Sequence, residues 1–597
     1  MAKTLILVNC GFVRYFITSI LIGCIQQNAV SQDIEKINRD NITISWEDCI
    51  SAYKKLDSEN RSALLIEAGL TDIGKPLHLF VLSKDGIFDP VVAKRKGKTV
   101  LMILNGIHPG EPDGIDASIR LSQSLLSGNI ELPSNLIICI IPIYNIDGSL
   151  NSRCCTRANQ NGPINQGFRG NARNLDLNRD FIKCDSENAK SFTEIFRDWD
   201  PDVFIDTHVS NGADYQHVMT LISTQHNKLG GASGEFMKKQ MTPALFAAME
   251  KRGFPMSPYV NTLKYDSPPE NGIYGFMETP RFASGYAALY QSLAFVTETH
   301  MLKPFPLRVD ATQAMLEVFI KYTSQNADVI REARNKDRAA LKSSTSHVID
   351  WRVDTNKVEL VPFLGFEHYY QKSPVTGQDQ LYYDRGKPFS RDVKFYDEYV
   401  ASKTVNIPSF YIVPQAWSEV IERIKLNKIE FQRLVRDTVI ELSTYSIGKY
   451  KSGSKPYEGH YLRSETEVVE ENKRVRLFAG DYMIPTNQDA IRYLIETLEP
   501  QAPDSWFSWG FFDSILQQKE WFSAYVFDDM AARILADNPD LKSRFESKKL
   551  TEPEFAKSSF DQLYFIYQNS EWFEDLNRYP IYRLFGASNE DYSKLCK

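Results

Sequence analysis

From about residue 41 to residue 335, short continuous apolar runs alternate with amphipathic stretches. Thr99-Val-Leu-Met-Ile-Leu-Asn105, Leu136-Ile-Ile-Cys-Ile-Ile-Pro-Ile143, Val203-Phe-Ile-Asp-Thr207 and Leu293-Ala-Phe-Val-Thr297 are runs of this kind. Each predicts a strand covered on both faces, because a half-exposed strand would alternate apolar and polar positions. Between the first two, Asp113 to Leu126 carries Ile115, Ile119, Leu121 and Leu125 near helical spacing and predicts a helix. Strands alternating with helices predict an α/β domain over residues 41–345. Charge rises over 321–342, which predicts an exposed helix leading to a boundary near 345. Beyond it the pattern changes. Strand-like Ser409-Phe-Tyr-Ile-Val413 and Val475-Arg-Leu-Phe478 flank a helix at about 416–425, predicting a smaller α+β region over 346–487. A helical, aromatic-rich end is expected over 488–597, where the run Trp506 to Phe512 suits a core or interface role.

The N-terminus adds an address. Lys3 and Arg14 flank its start, Tyr15 to Ile25 is nearly all apolar, and Ala29-Val30-Ser31 supplies small residues. This order predicts a signal peptide over residues 1–31 and an exported chain: secreted, periplasmic or at the cell surface. The apolar run is too short to predict a transmembrane span. Leu21-Ile22-Gly23-Cys24 resembles a bacterial lipobox, so a lipid anchor at Cys24 is the alternative to soluble export. Net charge is -7 and no basic stripe is present, which argues against a nucleic-acid partner. The cysteines form no CxxC pair and no cluster with histidine at zinc-finger spacing, so a metal site must be sought elsewhere.

Chemistry is expected where strands end, because ligands of α/β sheets collect outside the carboxyl ends of the strands. The strand ending at Asn105 runs into a turn with His108 and Glu111, three apart, and His208 follows the strand Val203 to Thr207. Two imidazoles and a carboxylate leave a fourth position on tetrahedral zinc open for water. An HxxE pair alone is more often structural; here other groups join it. Glu298 ends the strand Leu293 to Thr297, where a carboxylate can move a proton to and from a reacting water. Arg157, Asn178 and Arg179 lie in a long polar loop, and guanidinium groups bind carboxylates and stabilise oxyanions. His217, His226 and His300 are candidates for structural or supporting roles ahead of metal binding, and His78, His347, His368 and His460 have no companions.

Taken together, Gly106-Ile-His108-Pro-Gly-Glu111, Asn145-Ile-Asp-Gly148, Thr156-Arg157-Ala-Asn159, Leu175-Asp176-Leu-Asn178-Arg179-Asp-Phe181, Asp206-Thr-His208 and Thr297-Glu298-Thr occur in the order seen in zinc carboxypeptidases of the carboxypeptidase A type. The chain resembles that family over roughly residues 45 to 305. The resemblance implies a mixed central sheet with helices on both faces. It implies one Zn2+ on His108, Glu111 and His208, and Glu298 as general base and proton shuttle. It implies that Arg157 polarises the scissile carbonyl, that Asn178 and Arg179 hold the substrate's terminal carboxylate, and that Asp176 orients His108. The family often has a mobile tyrosine before the glutamate; Tyr274 and Tyr286 both lie near the place. The loop from Asn159 to Asn174 is longer than in the simplest members, and the chain beyond about 345 falls outside the resemblance. The implied function is a secreted zinc metallocarboxypeptidase acting on a peptide or other carboxylate-ended substrate. Two alternatives stand beside it: a zinc amidohydrolase of muropeptides or N-acyl amino acids, and a non-catalytic peptide-binding protein.

Overall fold

The four apolar runs form the centre of one mixed sheet. The computed structural model describes residues 34–262, 264, 267–586 and 596, so the expected signal segment 1–31, with Cys24, lies outside the described residues. In chain order the first strands are β1 (Ala63–Leu70), β2 (Pro76–Leu82), β3 (Thr99–Leu104), β4 (Leu136–Ile141), β5 (Val203–Ser210), β6 (Met219–Ser223), β7 (Ser257–Pro258), β8 (Ile273–Tyr274) and β9 (Leu293–His300). All but β8 belong to an eight-stranded sheet ordered β1-β2-β4-β3-β5-β9-β6-β7. β4, β3, β5 and β9 run parallel, while β2 and β6 join them antiparallel on either side. Every residue of β3, β4 and β5 is buried, as a continuous apolar run requires.

Register shows that both faces are covered. Phe204 of β5 packs on Phe192 and Phe196 of the Glu187–Trp199 helix. Phe295 of β9 packs on Phe319 of the Phe305–Gln325 helix. Phe204 is the register partner of Ala294, so Phe295 points to the opposite face. Each of these buried aromatics contributes roughly 1.5–3 kcal/mol of apolar transfer. The Asp113–Leu126 helix forms as expected and lies very close to β5. A Cβ on Gly114 would fall 2.0 Å from Thr207 Oγ1, so a side chain there would push the helix away. This close approach brings the turn bearing His108 and Glu111 against the strand bearing His208.

The charged stretch expected to be an exposed helix behaves differently. It spans the end of the Phe305–Gln325 helix and the Ala327–Lys342 helix, and Arg334 and Arg338 turn inward. Asp200 accepts from Arg334 Nη2 at 2.9 Å and from Arg338 Nη2 at 2.6 Å, and Asp202 pairs with Arg334. Paired carboxylates allow these two arginines to be buried.

The second half continues with β10 (Ser346–Val353), β11 (Glu359–Lys372), β12 (Asp379–Tyr396), β13 (Tyr399–Asn406), β14 (Phe410–Val413), β15 (Gln432–Arg433), β16 (Thr438–Ser452), β17 (Arg463–Leu477), β18 (Tyr482–Pro485) and β19 (Tyr582–Leu584). A six-stranded sheet has the order β15-β18-β14-β19-β16-β17. β19 comes from beyond residue 487 and pairs with β14 and β16, so the boundary expected at 487 cuts through one sheet. The halves are also joined. β12 pairs with β8, and Tyr286 and Tyr290 both donate to Asn427 Oδ1 at 2.7 Å. Trp506, Trp509 and Phe512 are fully buried in the main core, the role their run suggested.

Candidate active site

His108 and Glu111 sit in a turn after β3, where Glu111 N donates to His108 O at 2.8 Å. His208 belongs to β5. The donor atoms of His108, Glu111 and His208 lie within 4.8 Å of one another, and all three side chains are buried. Glu111 Oε2 is 3.0 Å from His208 Nδ1 and 3.4 Å from His108 Nδ1. His108 Nδ1 is buried with no hydrogen-bond partner, which leaves it available to a ligand from outside the protein. The outer nitrogens are engaged: His108 Nε2 lies 2.9 Å from Asp176 Oδ1, and His208 Nε2 lies 2.8 Å from Asp206 Oδ2. With Nε2–H donated to a carboxylate, each ring turns its Nδ1 lone pair inward. The residues present therefore fit a divalent metal with a preference for nitrogen and carboxylate donors. Asp206 gains its role from strand geometry, since residues two apart on β5 share a face.

Glu298 is the register partner of His208 across β5 and β9, and it keeps a partly exposed edge. Burial pushes its pKa up to about 8; the charge of His208 opposes this, and Glu111 and Asp206 add to it. At Glu111 burial also pushes upward, but Arg157 and the two imidazoles outweigh it and hold the carboxyl well below its usual range. Asp176 is held low in the same way, by His108, Arg169 and Arg179 against burial.

The arginines divide the work. Arg157 Nη1 donates to Glu111 Oε1 at 2.6 Å, Nε to Gln160 Oε1 at 3.0 Å and Nη2 to Val209 O at 3.2 Å. Its guanidinium is thus tied to the protein on every edge. The loop around it is fixed by Arg308, which pairs with Asp113 and donates to Asn161 O and Gly162 O. Arg169, from the same polar loop and not among the residues expected from sequence, enters the same site. Its Nε donates to Asp176 Oδ2 at 2.9 Å, its Nη1 lies 3.6 Å from Glu111 Oε1, and its side chain is 44% exposed. Asn178 N donates to Asp176 Oδ1 at 2.9 Å, which fixes the Leu177–Arg179 turn beside His108. Arg179 lies over the Phe282 ring at 4.3 Å.

The expected tyrosines lie elsewhere. Tyr286 is fully buried and donates to Asn427, and Tyr274 stacks on Tyr396 with centroids 4.7 Å apart. Tyr259 and Tyr215, not singled out from sequence, both lie close enough to feel the charge of Glu298. Burial, then the charge of Glu298, pushes the Tyr259 hydroxyl pKa well up. His217 bonds Pro255 O and accepts from Leu364 N, His226 faces Glu398 at 3.2 Å, and His300 packs against Tyr215 with ring centroids 4.2 Å apart and tilted by 35°. None of the three joins the cluster of His108, Glu111 and His208. The described cysteines are unpaired, Cys154 and Cys155 included. Among the described residues no helix is long and apolar enough to cross a membrane.

Residues 51–231 match the model of the zinc carboxypeptidase family. The chain is 22% identical over 431 residues to carboxypeptidase 2 of Trichophyton tonsurans, a match covering 69% of this chain and 74% of that one. It is 20% identical over 424 residues to a probable carboxypeptidase 2 of Arthroderma benhamiae, covering 68% and 74%. A 69% share of the chain is more than residues 1–345 supply, so this likeness extends into the second half. Among solved structures, the carboxypeptidase A of Helicoverpa armigera aligns with a TM-score of 0.36 and 14% identity, over 49% of this chain and 75% of that one. A metallo-carboxypeptidase of Pseudomonas aeruginosa in complex with (2-guanidinoethylmercapto)succinic acid aligns with a TM-score of 0.35 and 15% identity, over 48% and 70%.

Proposed function

We propose that this chain, which carries a zinc carboxypeptidase family domain over residues 51–231, is a secreted zinc metallocarboxypeptidase that removes residues from the C-termini of peptides. The observation that carries the reading is the convergence of His108, Glu111, His208 and Glu298 in one site bordered by three arginines. Zinc, when held by His108, Glu111 and His208, supplies an acidified water and a polarising charge for a carbonyl.

The chain's own residues do the rest. Glu298, which faces His208 across the sheet, takes a proton from the attacking water and delivers it to the leaving amine. Arg157 and Arg169 form the positive side of the site, where negative charge develops on the carbonyl oxygen. Arg157 is tied to Glu111 and fixes the wall, and the more exposed Arg169 presents its guanidinium to the cleft. Asn178 and Arg179 receive the terminal carboxylate, and Asp176 holds His108 and the Arg169 head in place. Export rests on the signal-like order of residues 1–31.

Metal removal and return test this reading. Chelator-treated protein is expected to be inactive on peptides, and one zinc per chain is expected to restore hydrolysis. Full activity in zinc-free protein would overturn it.

A further inference from the structure

The segment Asp176–Arg179 is touched by residues about 280 positions downstream. The loop joining β16 and β17 ends in a tight reverse turn. Tyr457 N donates to His460 O at 2.7 Å, and His460 N donates to Tyr457 O at 3.1 Å. The two residues between them, Glu458 and Gly459, have φ of 51° and 83°. Two-residue hairpin turns with both central φ positive favour Asn, Asp or Gly at the first position, and a glutamate is strained there.

The strained residue is the one that reaches the site. Glu458 Oε2 accepts from Asp176 N at 2.8 Å. Its neighbour Tyr457 accepts through its hydroxyl from Arg179 Nε at 3.0 Å. Arg179 Nη1 donates to its own chain at Asn178 O, and one face of the guanidinium is covered by Phe282. Its Nη2 has no protein partner among the described residues. The turn is itself braced. Tyr457 stacks on buried Trp509, Arg281 lies over both rings, and His460 Nε2 is 2.7 Å from Asp185 Oδ2.

We infer that Tyr457 and Glu458 are positioning residues for the substrate's terminal carboxylate, so that the second half of the chain completes the substrate site. Tyr457 fixes the Arg179 fork before substrate arrives, and Glu458 fixes the backbone from which that fork projects. A donor edge ordered in advance loses less freedom on binding. The backbone strain at Glu458 marks a position where local preference gives way to this contact. Neither residue hydrogen-bonds with His108, Glu111, His208 or Glu298; because Glu458 holds the backbone of Asp176, which grips His108, zinc content is measured beside KM in each variant, and the effect is expected in KM at unchanged zinc content. This inference rests on the reading of Arg179 as the carboxylate anchor.

Three variants of the full zinc-loaded chain test it: Tyr457→Phe, Glu458→Gly and Glu458→Gln. Tyr457→Phe loses one hydrogen bond to a charged group and is expected to raise KM for free-carboxylate peptides about tenfold, with kcat within about twofold. Glu458→Gly relieves the strained φ, so Tm is expected to hold or rise while KM rises several-fold. Glu458→Gln keeps the acceptor for Asp176 N and is expected to return KM close to wild type. Unchanged KM in both Tyr457→Phe and Glu458→Gly overturns the inference, and so does a rise in KM that only follows a fall in Tm. Equal cleavage of C-terminally amidated peptides by the wild type overturns instead the reading of Arg179, whatever the variants do.

Discussion

His208 and Glu298 are register partners on adjacent parallel strands, and their side chains leave the sheet on the same face. Strands lie about 4.8 Å apart, so the sheet and not a loop fixes the spacing between the imidazole proposed to hold the metal and the carboxylate proposed to move protons. Glu298→Gln keeps shape and register but cannot take a proton. We expect kcat to fall by roughly 10²–10⁴ with zinc content unchanged, read by steady-state kinetics beside metal analysis. A zinc-loaded variant with wild-type kcat would show that Glu298 is not the proton carrier.

Asp176 and Asp206 each grip the outer nitrogen of one histidine. Asp206→Asn and Asp176→Asn are expected to weaken zinc binding by about 10–100-fold each, measured by competition with a chromogenic chelator. Zinc affinity equal to wild type in both would remove their orienting role.

Asp200 ends the Glu187–Trp199 helix at a φ of 43° and collects Arg334 and Arg338. Asparagine tolerates that left-handed conformation, so Asp200→Asn removes the charge without removing the turn. Two inward-facing guanidinium groups are then left short of a counter-charge, and unfolding in denaturant is expected to show a loss of roughly 3–5 kcal/mol. A loss close to zero would mean that Asp202 alone suffices.

Glu496 gives the pH dependence. Burial pushes its pKa upward, but Lys228, His347 and Arg492 outweigh it and bring it down from 4.5 to about 2. The folded chain therefore binds this proton less readily than the unfolded chain. Its stabilisation is complete above about pH 4.5 and is lost as the pH falls towards 2, at most about 3 kcal/mol in all. The stability gap between wild type and Glu496→Gln should be constant at neutral pH and narrow through that acid window. A gap unchanged down to pH 3 contradicts the assignment.

The first half was legible because its strands are buried on both faces and so read as unbroken apolar runs, with chemistry at their ends. His108 and Glu111 follow β3, while β5 and β9 run on to Ser210 and His300, so that His208 and Glu298 lie two residues inside the strand ends. Arg169 was not legible, because nothing periodic marks one arginine in a polar loop, and its partners Glu111 and Asp176 are named only by the fold. Asp206 lay inside a quoted motif, but its role needs the strand's alternation and the ring of His208. Arg334 and Arg338 read as solvated charge because their counter-ions lie more than 130 residues upstream. The boundary at 487 failed for a similar reason: β19 returns to its sheet from residues 582–584, and sequence order does not reveal such a return. The contact of Tyr457 and Glu458 with Arg179 and Asp176 is equally non-local.

The hydrolysis proposed here is directed at substrates ending in a free carboxylate. Mass spectrometry of one peptide offered as the free acid and as the C-terminal amide tests it most directly. Stepwise loss of single C-terminal residues is expected from the acid, and little or none from the amide. Equal cleavage of the two, or release of internal fragments, would contradict it.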